Sequence, residues 1–539
     1  MVMLAASLST LLVLVVTLAG CPGDGASVGE TCDRHSDCGA ALQCAQHTCV
    51  PRCERAPDCG DGYACDENGI CHHAQGQAGD ACRSEVECAP GLSCQIDGTR
   101  VEDGRLRASC TAQHAGAPAG ASCLSDEDCR NGTCALGRCI DLCASTRDCG
   151  AGMSCMTIPR VEADGALFDG CLLSKGVVSW KIPLRSPKDE ILFPVPGGAH
   201  YAQLVFSAPA PQRVGAESLY APTGRLLYRP CQELPPYNCP SNHCPPYNCL
   251  EDKEADQYYQ NPVRHRREIG TAVLAMPPSP ETSLETGAYR VKAMAPQPDG
   301  RIGATPSVTA VVRIGPAVIL DLHFYFLDLA DHPCEAAFGN VKLDAAAART
   351  EGFFQTDFIG PPLPAGVQDS GQLPVTLRSI FSNGGIALGE ISYEDIANHH
   401  ELDGLDTSNA GALLRLGRYG QGVNVFFVRT LSPVGLQTFS PNPGPAGLGG
   451  TLRSGIVIGI DTLCYRSWEQ LARLTAHEIA RYMGLYHNVE LGATPDDPRR
   501  DPIDDSNDSP DNLMFYSELG GTVLSHGQRD ILMRSPVLR

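Results

Sequence analysis

His477 and Glu478 stand side by side in the string His477-Glu478-Ile479-Ala480-Arg481-Tyr482-Met483-Gly484-Leu485-Tyr486-His487. Neutral imidazoles ligate divalent metals well, and a neighbouring carboxylate can take a proton from a metal-bound water. On a helix, positions i and i+4 share a face, so His477 and residue 481 project together. Gly484 can take the positive φ that ends a helix and turns the chain, which would bring His487 back as a further ligand. Arg481 breaks this set. Its guanidinium stays protonated and has no lone pair to give a metal. Two imidazoles alone make a poor zinc site, because catalytic zinc normally has three protein ligands plus water. Without bound zinc no water is acidified to a pKa of about 7, and Glu478 has no nucleophile to activate. Glu478 and Arg481 are i, i+3, so the expectation is that Arg481 fills the ligand position and bonds Glu478.

A substitute ligand would have to come from elsewhere. The acidic run Asp496, Asp497, Asp501, Asp504, Asp505, Asp508 and Asp511 follows the motif. Two histidines and one carboxylate form a sound zinc site. The same run also reads as a solvated loop, or as a Ca²⁺-binding loop. His399 and His400 read as a surface loop, and His526 belongs to a tail element.

The elements that must position these residues follow from apolar patterning. Residues 318–326 read as a strand and 373–381 as a helix ending at Gly384-Gly385. Residues 386–393, 423–428 and 455–460 read as further strands. Ser467 and Gln470 form the capping-box pattern that opens the motif-bearing helix. Cys334 and Cys464 are the only cysteines in this region, and in an oxidising compartment they are expected to pair.

The motif is one residue away from H-E-x-x-H-x-x-G-x-x-H, the mismatch being Arg481. Downstream lie Asp501-Pro502-Ile503-Asp504, Asn512-Leu513-Met514-Phe515-Tyr516 and Leu524-Ser525-His526-Gly527-Gln528. Together with the strand order, this region, 316–539, resembles the metzincin metallopeptidases, particularly their pappalysin-like branch. The resemblance implies an α/β (α+β) catalytic fold and zinc as cofactor. It implies His477 and His487 as zinc ligands, Glu478 as general base and Met514 as the Met-turn residue beneath the site. It gives Tyr516 no role.

The remainder of the chain sets the context. A length of 539 residues implies several domains. A net charge of -21 argues against nucleic acid and anionic membrane surfaces as electrostatic partners. Twenty-seven cysteines imply an oxidising compartment. Residues 4–18 are an almost unbroken apolar run ending in Leu18-Ala19-Gly20-Cys21, which reads as a signal peptide, 1–20. The tetrapeptide resembles the lipobox of bacterial lipoproteins. That resemblance implies acylation of Cys21, a lipid-anchored tether over 21–31, and the outer membrane of a Gram-negative envelope. Met1-Val2-Met3 carries no Lys or Arg, which leaves open a start further upstream or an uncleaved anchor.

Cysteines then recur in fours, with a first gap of five residues throughout. Repeats 1 and 2 occupy 32–71, repeat 3 occupies 82–110, and repeats 4 and 5 occupy 123–171. Such units are too small for a core and must be held by disulfides, with three connectivities open to each. The even gaps do not suit zinc, which favours close C-x-x-C pairs. The spacing resembles Dickkopf-type cysteine-rich repeats. The repeats read as a stiff spacer, or alternatively as a protein-binding stalk. From 175 to 315, short apolar alternations broken by Pro and Gly suggest an all-β sandwich-like domain. An insertion carries Cys231, Cys239, Cys244 and Cys249, expected to form two disulfides, with His243 beside Cys244 as a weaker pointer to metal.

Two functions remain open at this point. The favoured one is an inactive, surface-exposed lipoprotein that holds a protein or peptide in a protease-like cleft. The alternative is a membrane-tethered zinc endopeptidase with a substitute third ligand.

Overall fold

The computed structural model describes residues 30–539 apart from 40–41, 46–47, 60–62, 66–68, 70, 74–75, 101–103, 210–211, 213, 229–262, 267–269, 278–281, 296–302, 328–343, 347–371, 433–436, 441–449, 452–454, 490–500, 502 and 518–519. Cys21, the Cys231–Cys249 insertion with His243, Cys334, Asp496 and Asp497 therefore lie outside the described residues. Among the described residues, no helix is long and apolar enough to cross a membrane. The chain runs from a disulfide-rich N-terminal region into strand-rich domains with few helices.

Each repeat uses its four cysteines in the same order. The first bonds the third and the second bonds the fourth, as in Cys32–Cys44 with Cys38–Cys49 and Cys143–Cys155 with Cys149–Cys171. The third and fourth cysteines face each other across a hairpin, as Cys94 faces Cys110, yet each bonds outside the hairpin. A feature of the sequence reinforces this knot. An acidic residue precedes every second cysteine: Asp37, Asp58, Glu87, Asp128 and Asp148. The Asp37 carboxylate accepts the N–H groups of Asp33 and Arg34 at 3.0 and 2.8 Å, and Asp128 and Asp148 repeat the arrangement. Those backbone donors hold the Asp37, Asp58 and Asp128 carboxyls below their usual range.

The repeats are not strung out as a rod. Arg55 of repeat 2 donates to the Gly150 carbonyl of repeat 5 at 2.9 Å. Arg105 of repeat 3 pairs with Asp169 of repeat 5, and Arg160 of repeat 5 pairs with Asp126 of repeat 4. Leu136, Ile140, Leu142, Ile158, Phe168 and Leu172 are buried in the core of the following β domain. Repeats 3 to 5 therefore form a base for the sheets. Burying these apolar side chains outweighs any gain from leaving them on an extended stalk.

The β domain has two antiparallel sheets. The first uses β1 (Gly176–Ile182), β3 (Ala199–Ser207), β6 (Val263–Arg266), β7 (Thr271–Met276) and β9 (Ser307–Ile314), in the order β1-β9-β3-β7-β6. The second uses β2 (Glu190–Val195), β4 (Gly215–Tyr220), β5 (Leu226–Tyr228) and β8 (Gly287–Met294), in the order β2-β8-β4-β5. Leu204, Leu274 and Val312 of one sheet share a core with Phe193, Leu219 and Val291 of the other.

The C-terminal domain is built on one five-stranded sheet. Its strands are β10 (Ile319–Phe326), β11 (Ala387–Asp395), β12 (Val423–Val428), β13 (Thr438–Phe439) and β14 (Ile456–Gly459), ordered β11-β10-β12-β14-β13. All neighbours are parallel except β13, an antiparallel edge strand on β14. Parallel strands covered on both faces read as continuous apolar runs, and Val423–Val428 is buried throughout. Three helices matter here: α1 (Gln372–Asn383), α2 (Trp468–Tyr482) and α3 (His526–Arg534). α1 packs against α2. Gly385, with φ of 77°, turns the chain from α1 into β11.

The last residues join the two domains. Arg539 exchanges backbone hydrogen bonds with Ile319 at 3.1 and 2.9 Å, and its side chain pairs with Asp321. Arg313 of β9 is buried and donates to the Leu538 carbonyl at 2.5 Å and to the Gly315 carbonyl at 3.2 Å.

Candidate functional site

α2 begins at a complete capping box in which the Ser467 hydroxyl accepts the Gln470 N–H at 3.2 Å and the Gln470 side chain accepts the Ser467 N–H at 3.2 Å. The helix runs through the motif and stops at Met483. Gly484 follows with φ of 120°, where a side chain would strain the backbone. The turn returns the chain so that His487 faces His477, with 3.2 Å between their Nε2 atoms. His477, Glu478, Arg481 and His487 thus meet in one cleft, of about 270 Å³, with Thr438 and Ser440 on the edge-strand side and Tyr516 and Ser517 beyond.

The tautomers follow from the contacts. His477 Nδ1 lies 2.8 Å from the Leu513 carbonyl, so Nδ1 carries the proton. Its Nε2 is then an acceptor, and His487 Nε2 donates to it. Burial pushes His477 down to about 4; the Glu478 carboxylate opposes the shift, and the Arg473 and Arg481 charges add to it. Burial, with Arg481 and His477 nearby, pushes His487 well below the ordinary imidazole range. Both rings are neutral at physiological pH.

Glu478 is 5 % exposed, and its Oε1 accepts the Thr438 hydroxyl at 2.6 Å. Arg481 lies on the same helix face with Nη1 3.9 Å from that oxygen. The expected Glu478–Arg481 pairing is therefore present only as a long ion pair, and Thr438 is the closer partner. Thr438 carries no motif signal. It is 40 residues away in sequence and reaches the site because its strand β13 packs beside α2.

The floor of the cleft is a second contribution that the motif does not display. Arg473, one turn before His477, is buried. It donates to the carbonyls of Leu513, Ser517 and Gly521 at 2.9, 2.8 and 3.2 Å, and to Phe515 at 3.3 Å. The segment it holds contains Met514, which is fully buried and whose N–H donates to Asn512 Oδ1 at 2.8 Å. A helical arginine reads from sequence as a solvated charge; here it anchors the loop that orients His477.

The other candidate residues lie apart from the histidines. Asp501 is buried and accepts from Ser506, from the Ile503 N–H at 3.3 Å and from Gln528 at 3.5 Å. Burial pushes it up to about 7. Asp505 caps α3, accepting the Ser525 hydroxyl at 2.8 Å and the Gly527 N–H at 2.9 Å. Asp504, Asp508 and Asp511 are exposed. His399 is at the surface, 3.2 Å from Glu401, and His526 is at the exposed start of α3. Cys464 is disulfide-bonded, and Cys334, its expected partner, lies outside the described residues.

Zinc and calcium can be tested against this donor set. Among the described residues, the groups of three or more His, Cys, Asp or Glu within 4.8 Å of one another are all sets of repeat cysteines. Those cysteines are bonded in disulfides. Among the described residues no third such donor joins His477 and His487, and Arg481 has no lone pair to offer. The described residues thus do not complete a zinc site, and among them the acids after the motif do not gather into a calcium site. No protein-family profile matches this chain, and no curated protein matches it at a significant level.

Proposed function

We propose that this chain is a lipid-anchored protein of a bacterial cell envelope, exposed at the outer membrane, whose C-terminal domain is a degenerate metzincin. In this reading it is a pseudopeptidase that binds protein or peptide partners in the cleft and does not cut them. The observation that carries the reading is Arg481, which lines the cleft beside His477 and His487 at the place where a third ligand would stand. A fixed positive charge there opposes a divalent cation. The cleft also borders an antiparallel edge strand, β13, a type of element to which an extended peptide can add.

Zinc content of the lipid-free ectodomain, residues 22–539, tests this after dialysis against trace zinc. The expected ratio is near zero; one zinc per chain would overturn the proposal. A second reading, an active zinc endopeptidase, draws on the His477 Nδ1 bond to the Leu513 carbonyl. Metal-bound histidines are oriented by such contacts. That reading requires a third ligand from outside the described residues, such as Asp496 or Asp497.

A further inference from the structure

We propose that Arg481 makes the cleft a carboxylate receptor, so that the bound partner offers a carboxylate from a chain terminus or from an Asp or Glu side chain. This rests on the reading of the cleft as a peptide-binding site and names the chemistry that the site selects. The whole chain has a formal charge of -21. The cleft departs from that balance: among the described residues Arg473 and Arg481 face it against a single acid, Glu478. A walled cleft of locally opposite sign concentrates anionic ligands.

The two arginines are not equivalent. Arg473 is engaged by four backbone carbonyls. Arg481 has its ion pair to Glu478 at 3.9 Å, longer than a hydrogen bond, and the Thr438 hydroxyl already holds the same oxygen at 2.6 Å. Its Nε is buried with no hydrogen-bond partner. Its side chain keeps 21 % of its surface open, on the cleft. A guanidinium offers five N–H donors in a planar fork that matches a carboxylate, and an under-satisfied fork on a cleft wall is suited to such a ligand. A cationic ligand would meet like charge there, and a purely apolar one would desolvate Arg481 without replacing its hydrogen bonds.

The test uses the ectodomain and three pools of random hexapeptides, labelled at the N-terminus with an uncharged dye and read by fluorescence anisotropy. One pool has a free C-terminal carboxylate and no Asp or Glu; the second is the same pool amidated; the third is amidated with one internal Glu. At least one acid-bearing pool should bind about 10- to 100-fold more tightly than the neutral pool, and which one does so identifies the source of the carboxylate. Arg481→Gln should abolish that preference, while Arg481→Lys should keep part of it. Tyr516→Ala should weaken all pools alike. Equal binding of acid and neutral pools, or a preference that survives in Arg481→Gln, overturns the carboxylate proposal; if Tyr516→Ala still weakens binding, the cleft remains the binding site. Absence of binding by every pool, or binding indifferent to all three variants, overturns both.

Discussion

His477 Nε2 and His487 Nε2 face each other at 3.2 Å, held by the helix end at Gly484 on one side and the Leu513 carbonyl on the other. Two nitrogens at ordinary zinc distances in a tetrahedral sphere are about 3.3 Å apart. The observed spacing matches two corners of such a sphere, and under the proposed reading the side chain at 481 decides whether it closes. Arg481→His is expected to raise zinc content from near zero to about one per chain. At zinc 100 times its dissociation constant the variant should gain about 2.7 kcal/mol of stability over its zinc-free form. An unchanged zinc content by elemental mass spectrometry would count against this geometry.

Arg473 should be as important to the cleft as the motif itself. Arg473→Met removes the donor shared by the carbonyls of Leu513, Phe515, Ser517 and Gly521. A loss of about 3 kcal/mol is expected from several unpaired buried carbonyls. Amide exchange of residues 512–521 should quicken more than that of β12; uniform quickening, or none, would argue against a local anchoring role.

The pH dependence of stability should show a paired acid where repeat 3 meets the link between repeats 4 and 5. Burial, with the Asp141 carboxylate nearby, pushes Glu85 up to about 8 from 4.5. Burial also raises Asp141, against the Asn131 amide and the Arg130 charge, which lower it. A raised carboxyl holds its proton more tightly when folded. Its stabilisation is complete below pH 4.5 and is lost as pH rises toward about 8. One such group changes stability by at most about 1.4 kcal/mol per pH unit. Urea midpoints from pH 5 to 8 should fall less steeply in Glu85→Gln, and identical slopes would refute the assignment.

The junction of the two large domains should depend on Arg313. Arg313→Met leaves the Leu538 and Gly315 carbonyls without this donor, at a cost of about 2 kcal/mol. Differential scanning calorimetry should then resolve two transitions where the parent shows closer coupling. A single unshifted transition would mean that the tail is held without Arg313, by its backbone bonds to Ile319 and Gly422 and by the Gln421 amide, which donates to the Val537 and Leu538 carbonyls at 2.8 and 2.9 Å.

Much of the C-terminal domain was legible because its signals are local. The apolar run 423–428, the Ser467/Gln470 cap and the Gly484 turn each depend on neighbouring residues, and all three are present. The roles of Thr438 and Arg473 depend on which distant segments pack together, and no periodicity reports that. The same limit applies to the repeats. Their spacing announces disulfides but leaves three pairings open, and burial of Ile140 or Phe168 against the sheets follows only from the tertiary arrangement. The acid before each second cysteine was a readable signal, since a carboxylate there can satisfy backbone donors of the preceding turn.

All ten disulfides of the repeats close within their own unit, spanning 10 to 22 residues. Recombination can therefore add or remove a whole unit without orphaning a thiol. That freedom is unequal along the array. Loss of repeat 1 would leave the covalent scheme and the β domain's core intact, whereas loss of repeat 4 or 5 would strip side chains from that core. Lineages carrying this architecture should vary in the number of units at the N-terminal end of the array and keep the three nearest the sheets.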